Sequence, residues 1–444
     1  MSASINQDFK PFGLIRFAFP SIIMMVFMSL YTIIDGFFVS RFVGSNALSA
    51  LNIAFPPISV LFAFGIMLAT GGSAVVATQM GEGKRKEALS NFSFFVVAGL
   101  VISIILTTIV LLFPTNISLM LGASDILLDD CNTYMVTAFL FSPFCMLQGL
   151  FQSFFITAGR PKLGLVLTIF AGITNAVLDF VFIALLQMGV LGAALATGIG
   201  QMVPSVCGIV FFFSKRGDIY FTKFICNFKS LGKACANGAS EMVTNLSTAV
   251  ITFAFNIILM QLAGESGVAA ISILLYAQFL FNSLYLGFSI GVAPIISFQH
   301  GAEEFKRLRR VYKTSVWFIV ISSAVVTILS YVMADTIVKL FVENDIKTYE
   351  LASTGFLIFA TSFLFSGFNV FSSSLFTALS DGKTSAIISF TRTFVFIMAA
   401  LLVLPLIWGV TGVWLAIPVA EFLTLFLSIL YNKFKILPLI QRKS

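Results

Sequence analysis

Long apolar stretches alternate with short polar breaks along the whole chain. Twelve stretches can each cross a hydrocarbon core, which takes roughly 20 helical residues. They lie near 14–40, 48–79, 90–113, 131–157, 163–187, 189–214, 236–262, 268–299, 311–333, 351–379, 384–408 and 412–433. The breaks are brief and carry Gly, Lys and Arg, as in Gly81-Glu82-Gly83-Lys84-Arg85-Lys86. A segment in lipid must satisfy its backbone polar groups internally, so runs of this length predict helices. The expected fold class is an all-α integral membrane protein with twelve transmembrane helices.

The pattern is written twice, 220 positions apart. Gly44, Ala50 and Ile53 recur as Gly264, Ala270 and Ile273. Gly71, Gln79 and Gly81 recur as Gly291, Gln299 and Gly301, and Thr157-Ala158 as Thr377-Ala378. Gly189, Gly192 and Ala196 recur as Gly409, Gly412 and Ala416. One register held this far marks a duplication. Six spans fall in each copy, and an even number makes the copies parallel, related by an axis along the membrane normal. The expected organisation is a six-helix bundle over 1–214, a polar linker over 215–233 and a second six-helix bundle over 234–444. A duplicated polytopic chain points to a transporter with its site between the halves.

Composition supports this class: 59% of the 444 residues are hydrophobic, 10% are charged and the mean hydropathy is +1.03. With both termini on one side, the segments on that side hold 22 of the 26 Lys and Arg residues and the opposite segments hold Arg41, Lys339 and Lys347. The positive-inside rule assigns both termini to the cytoplasm of a cell-membrane protein. These loops also account for the net charge of +7, so no nucleic-acid partner is implied. Five cysteines without paired spacing suggest neither a disulfide framework nor a zinc site. His300 is the single histidine. Neither a phosphate-binding G-x-x-x-x-G-K-[ST] run nor a hydrolase signature occurs, so ATP-driven transport, an enzyme and a cofactor are not expected. The expected partners are the lipid bilayer and small organic molecules, and a monomer is expected.

Acidic residues well inside spans are Asp35, Asp179, Glu241 and Glu421. An intramembrane carboxylate costs roughly 2.5–3.5 kcal/mol, and such residues persist mostly where they bind something. At 1.5 Å per residue, Asp35 lies about 30 Å along span 1, Asp179 about 24 Å up span 5 and Thr197 about 12 Å down span 6. Pro20 bends span 1 and shortens its vertical path. Asn175 stands one turn before Asp179 on the same face. Asp35, Asn175, Asp179 and Thr197 thus form an all-oxygen set at similar depth, suited to Na⁺ or to protons. The acids are not duplicated: Asp35 aligns with Phe255, Asp179 with Ala399, and Gln201 with Glu421. Glu241, Arg392 and Glu421 in the second copy read either as a buried ion pair or as cavity-lining groups that contact substrate. Gln278 and Asn282, at i and i+4 on span 8, carry the same two readings.

Several local patterns now converge. They are Pro20 and Asp35 in span 1, Gly44–Ala50 opening span 2, and Gln79-Met80-Gly81 with the basic loop closing it. Further along come Gln148-Gly149 through Ala158-Gly159-Arg160-Pro161-Lys162, then Asn175-x-x-x-Asp179, then Gly189-x-x-Gly192-x-Ala194-x-Ala196-Thr197. In this order and spacing the chain resembles the multidrug and toxic compound extrusion (MATE) family, in a bacterial MepA-like or DinF-like branch, across all twelve spans. The resemblance implies a V-shaped, two-lobed antiporter exchanging Na⁺ or H⁺ for organic, often cationic, amphiphiles. It also implies a first-lobe cation site of Asp35, Asn175, Asp179 and Thr197, and a bending role for Pro20. Span 10 lacks the acid that some branches place there, and Glu241 lies too early in span 7 to match theirs. A dedicated metabolite or peptide exporter is an alternative. A flippase for lipid-linked precursors is another, disfavoured because Arg392 is the one basic residue deep in a span.

Overall fold

The computed structural model describes residues 5–42, 45–215, 217–342 and 345–441, and the side chains of 32–49 lie outside that description. The described residues form helices and no strand. The first half contains α1 (Pro11–Phe42), α2 (Ser45–Gly81), α3 (Arg85–Leu112), α4 (Pro114–Met120), α5 (Leu128–Leu140), α6 (Ser142–Thr157), α7 (Pro161–Asp179) and α8 (Gly189–Phe213). The second contains α9 (Phe228–Ala263), α10 (Glu265–Gly301), α11 (Phe305–Phe341), α12 (Ile346–Ala360), α13 (Phe363–Ala378), α14 (Gly382–Phe390), α15 (Ile397–Trp408), α16 (Val410–Tyr431) and α17 (Leu437–Gln441). π-helical turns over Phe180–Leu185, Thr391–Phe396 and Asn432–Ile436 extend α7, join α14 to α15 and follow α16.

Among the described residues, ten stretches of helix are long and apolar enough to span a membrane, and counting each of two bent pairs as one span brings the number to twelve. The sequence predicts spans 4 and 10 as single runs, whereas the structure breaks both. α5 and α6 meet at 53°, and α12 and α13 meet at 55°. The breaks fall at Phe141 and at Thr361, which are 220 positions apart, so the duplication extends to helix geometry. α1 runs unbroken through Pro20. α9 begins at Phe228, inside the stretch read as linker, because the Asn227 side chain caps it by accepting from the Ser230 backbone N–H at 3.0 Å. A free helix N-terminus leaves its first N–H groups unpaired, and an Asn cap supplies one acceptor.

The halves meet through α1, α2, α9 and α10, at the ends of these helices nearest the basic loops. Here glycine removes the side chain that would keep backbones apart. A Cβ on Gly71 of α2 would stand 1.9 Å from the Ala234 carbonyl oxygen of α9, and one on Gly238 would stand 1.9 Å from that of Met67. The second pair repeats this: Gly287 of α10 lies against Ile22 of α1, and Gly291 lies against Ala18. Away from the basic loops the helices diverge. On the α9 stripe facing α2, Ala234 and Gly238 are buried, Glu241 and Asn245 half-buried, and Thr248 exposed. On the facing α2 stripe, Gly71 and Met67 are buried, Phe64 and Val60 half-buried, and Pro56 exposed. The result is a V closed at its basic end, with a cleft whose floor lies one turn beyond Gly238.

Candidate functional site

In the first half, α7 presents Asn175 and Asp179 one turn apart, and both are buried. The two helices can close because α8 has a glycine where they touch. A Cβ on Gly200 would lie 3.0 Å from Asn175 Cβ. One turn earlier on α8, Thr197 Oγ1 accepts a hydrogen bond from Asn175 Nδ2 at 3.3 Å. Asp179 is the last residue of α7 before the π-helical turn, a local irregularity that often marks a functional position. α1 packs along α7, with Phe27 seated against Gly172. The structure thus brings together Asn175, Thr197 and the helix carrying Asp179. Asp35 belongs to α1, but its side chain lies outside the described residues.

Between Asn175 and the basic end lies a cavity of about 30 Å³, lined by Phe27, Met28, Tyr31, Gln148, Thr168 and Gln201 among others. That is room for a water molecule or a small ion. Gln152 Nε2 donates to Thr168 Oγ1 beside it at 3.2 Å. The lining residues carry no formal charge, and Tyr31, Gln148, Thr168 and Gln201 contribute the side-chain oxygens.

The second half fills the matching position with charge. Glu421, the counterpart of Gln201, is 2% exposed and accepts from Arg392 Nε at 2.8 Å through Oε1. Its Oε2 accepts from Asn369 Nδ2 at 2.7 Å, and its backbone carbonyl accepts from the same nitrogen at 2.8 Å. Three elements therefore share one charged group: α13, the π-helical turn Thr391–Phe396 and α16. A desolvated carboxylate needs its second oxygen matched as well, and Asn369 supplies that match. Glu241 is not in this pair. It is half-buried on the cleft-facing stripe of α9, more than 4 Å from Arg392 but within electrostatic range of it. Of the two acids the sequence offered to Arg392, the structure pairs it with Glu421. Asn282 Oδ1 accepts from Ser366 Oγ at 3.0 Å, tying α10 to α13. Neither Gln278 nor Asn282 bonds to the Glu241, Arg392 and Glu421 group among the described residues.

Sequence reasoning missed Asn369 and a chain of buried hydroxyls next to it. Ser373 Oγ lies 2.7 Å from Ser389 Oγ and 2.9 Å from Ser385 Oγ, and Thr377 Oγ1 lies 2.8 Å from Ser385 Oγ. Ser240 of α9 closes the chain at 3.3 Å from Thr377. The available signal was Ser and Thr recurring every fourth residue: 373 and 377 on α13, 385 and 389 on α14. The described residues contain no group of three or more His, Cys, Asp or Glu side chains able to hold a metal ion.

Comparison with known proteins agrees with this geometry. The MatE family model matches residues 20–181 and again 242–402, one block in each half. The chain is 25% identical over 429 residues to a multidrug export protein MepA of Staphylococcus haemolyticus, covering 94% of this chain and 92% of that protein. It is 22% identical over 422 residues to a MepA of Staphylococcus saprophyticus, covering 92% and 90% respectively. Among solved structures, it superposes with a TM-score of 0.92 on a multidrug resistance MATE transporter of the MOP superfamily described as outward-facing. The identity there is 20%, over 99% of this chain and 98% of that one.

Proposed function

This chain belongs to the MatE family, and from that premise we propose that it is a secondary active exporter of varied organic compounds, driven by Na⁺ or H⁺ moving inward. The observation that carries this reading is the buried Asp179 one turn from Asn175, which is itself hydrogen-bonded to Thr197. Keeping a deeply buried carboxylate charged is costly, and binding a cation or a proton relieves that cost. Asp35 on the adjacent α1 completes the proposed site. The relatives' standing as multidrug export proteins supports the substrate breadth.

In this reading both termini are cytoplasmic and the protein is a monomer in the plasma membrane. The glycine-sealed end of the V then faces the cytoplasm and the cleft opens outward. A cation enters from outside and neutralises the Asp35 and Asp179 pair, and substrate leaves the cleft. The halves then rock about α1, α2, α9 and α10 to expose the cleft inward. Exchange requires that cation and substrate each weaken the other's binding, and linkage makes that effect reciprocal.

The test is efflux of a cationic dye from vesicles with Na⁺ and pH gradients imposed separately. Asp179→Asn and Asp35→Asn are expected to reduce transport to background while the purified proteins remain monodisperse. Exchange at the wild-type rate by either variant rules out this site.

A further inference from the structure

The charged groups of the second half are not all used up by one another. Arg392 spends Nε on Glu421, and its two Nη groups make no hydrogen bond among the described residues. The side chain is 13% exposed, and none of its nitrogens is both sealed from solvent and unpartnered, so solvent reaches the Nη edge. Glu241 is in the same condition: its carboxylate carries no hydrogen bond among the described residues, and neither oxygen is sealed. The two groups influence each other electrostatically yet stand more than 4 Å apart. Glu241 occupies the stripe of α9 that faces α2, one turn beyond Gly238, where the halves begin to separate. The π-helical turn that carries Arg392 packs on α9.

We propose that Glu241 and Arg392 form a dipolar binding site at the floor of the cleft for an amphoteric organic solute, one bearing both a cationic nitrogen and a carboxylate. Glu241 takes the cationic nitrogen. The Nη edge of Arg392 takes the carboxylate, a planar two-oxygen group that matches its two parallel N–H donors. Glu421 and Asn369 act as positioning residues: they fix the guanidinium plane from behind, so that little side-chain entropy is lost on binding. Glu421 is bound to Arg392, and the neighbours on α2, Phe64 and Met67, are apolar. An amphoteric solute therefore meets one partner for each of its charges, and a plain cation leaves the Nη donors unmatched. This site rests on the export reading only for its role as a substrate site.

The test uses a xanthene dye as its free acid, which is zwitterionic, and as its ester, which is a cation. Binding of each to the purified protein is measured by fluorescence anisotropy. Arg392→Gln is expected to lower the acid-to-ester affinity ratio about tenfold or more, the scale of one lost charge-assisted pair of hydrogen bonds. Glu241→Gln is expected to weaken both dyes and to leave that ratio within about threefold. An unchanged ratio in Arg392→Gln overturns the proposal. If Arg392→Gln does not fold, the Arg392→Gln/Glu421→Gln double variant removes the stranded charge and reads the same ratio. Because the readout is binding, failure of wild-type vesicles to move either dye would count against the export reading and not against this site.

Discussion

Gly81 and Gly301 occupy equivalent places in the two halves, and each lies against the partner helix at the same point. A Cβ on Gly81 would stand 2.1 Å from the Phe298 carbonyl oxygen, and one on Gly301 would stand 2.1 Å from that of Thr78. Thr78 and Phe298 are themselves 220 positions apart. α2 and α10 therefore cross about a pseudo-two-fold axis at the basic end of the V, and the contact is self-complementary, as an interface about a two-fold axis must be. The duplicated glycines read from the sequence are the pivot of that contact.

A methyl group at either position cannot be accommodated by rotating a side chain, because its obstacle is backbone. Gly81→Ala and Gly301→Ala are each expected to force α2 and α10 apart and to bias the protein away from the state closed at the basic end. Transport in vesicles should fall about tenfold or more, since a bias of 1.4 kcal/mol already changes a conformational ratio tenfold. Gly232→Ala is the control: a Cβ there meets nothing within 4 Å, and Ala is the better helix former. Equal transport by Gly81→Ala and Gly232→Ala would show that this crossing is not a moving contact.

How much of this arrangement could be read from the sequence depended on what recorded it. The twelve spans and the 220-residue register were legible because lipid imposes one pattern on every crossing and the duplication prints each glycine twice. The contact between Asn175 and Thr197 was legible because helical rise converts sequence position into depth. The bends at Phe141 and Thr361 were not legible, since the chain remains apolar on both sides of each break. Asn369 was also hidden: a lone amide in an apolar span has no partner until α13 is packed against α16. The choice of Glu421 over Glu241 for Arg392 depended on that packing as well.

The ion pair of Arg392 and Glu421 predicts a sharp contrast between single and double substitution. Glu421 is 2% exposed, so removing Arg392 alone leaves a carboxylate in a site that cannot solvate it. Arg392→Met should destabilise the purified protein by about 3–5 kcal/mol, read as a lower unfolding temperature in detergent. Arg392→Met/Glu421→Leu removes both charges and should recover most of that loss, because a buried pair replaced by apolar groups of similar volume is often neutral. Additive losses in the double variant would contradict the direct coupling seen at 2.8 Å.

At the basic end of the second half, Asp381 gives a prediction with a definite sign in pH. Its Oδ1 accepts from the Thr384 backbone N–H at 3.2 Å, capping α14, while its Oδ2 accepts from Thr384 Oγ1 at 2.7 Å and from Lys435 Nζ at 2.6 Å. Partial burial pushes its carboxyl up, but the bonds from Lys435 and Thr384 outweigh that and hold it below the usual carboxylate range. A lowered folded-state value means that the ionised form stabilises the fold. That stability is complete above the unfolded value near about pH 4 and is lost as pH falls through the folded value. Asp381→Asn keeps the cap and removes the charge, so it isolates this contribution. The variant should be less stable than wild type by up to about 1 kcal/mol at neutral pH, the scale of a partly exposed ion pair. Unfolding temperatures of the two proteins should converge as pH falls from about 4 through the lowered folded value, below which the wild-type carboxyl is also neutral. A difference that stays constant from neutral pH into acid would mean that the ion pair with Lys435 contributes nothing.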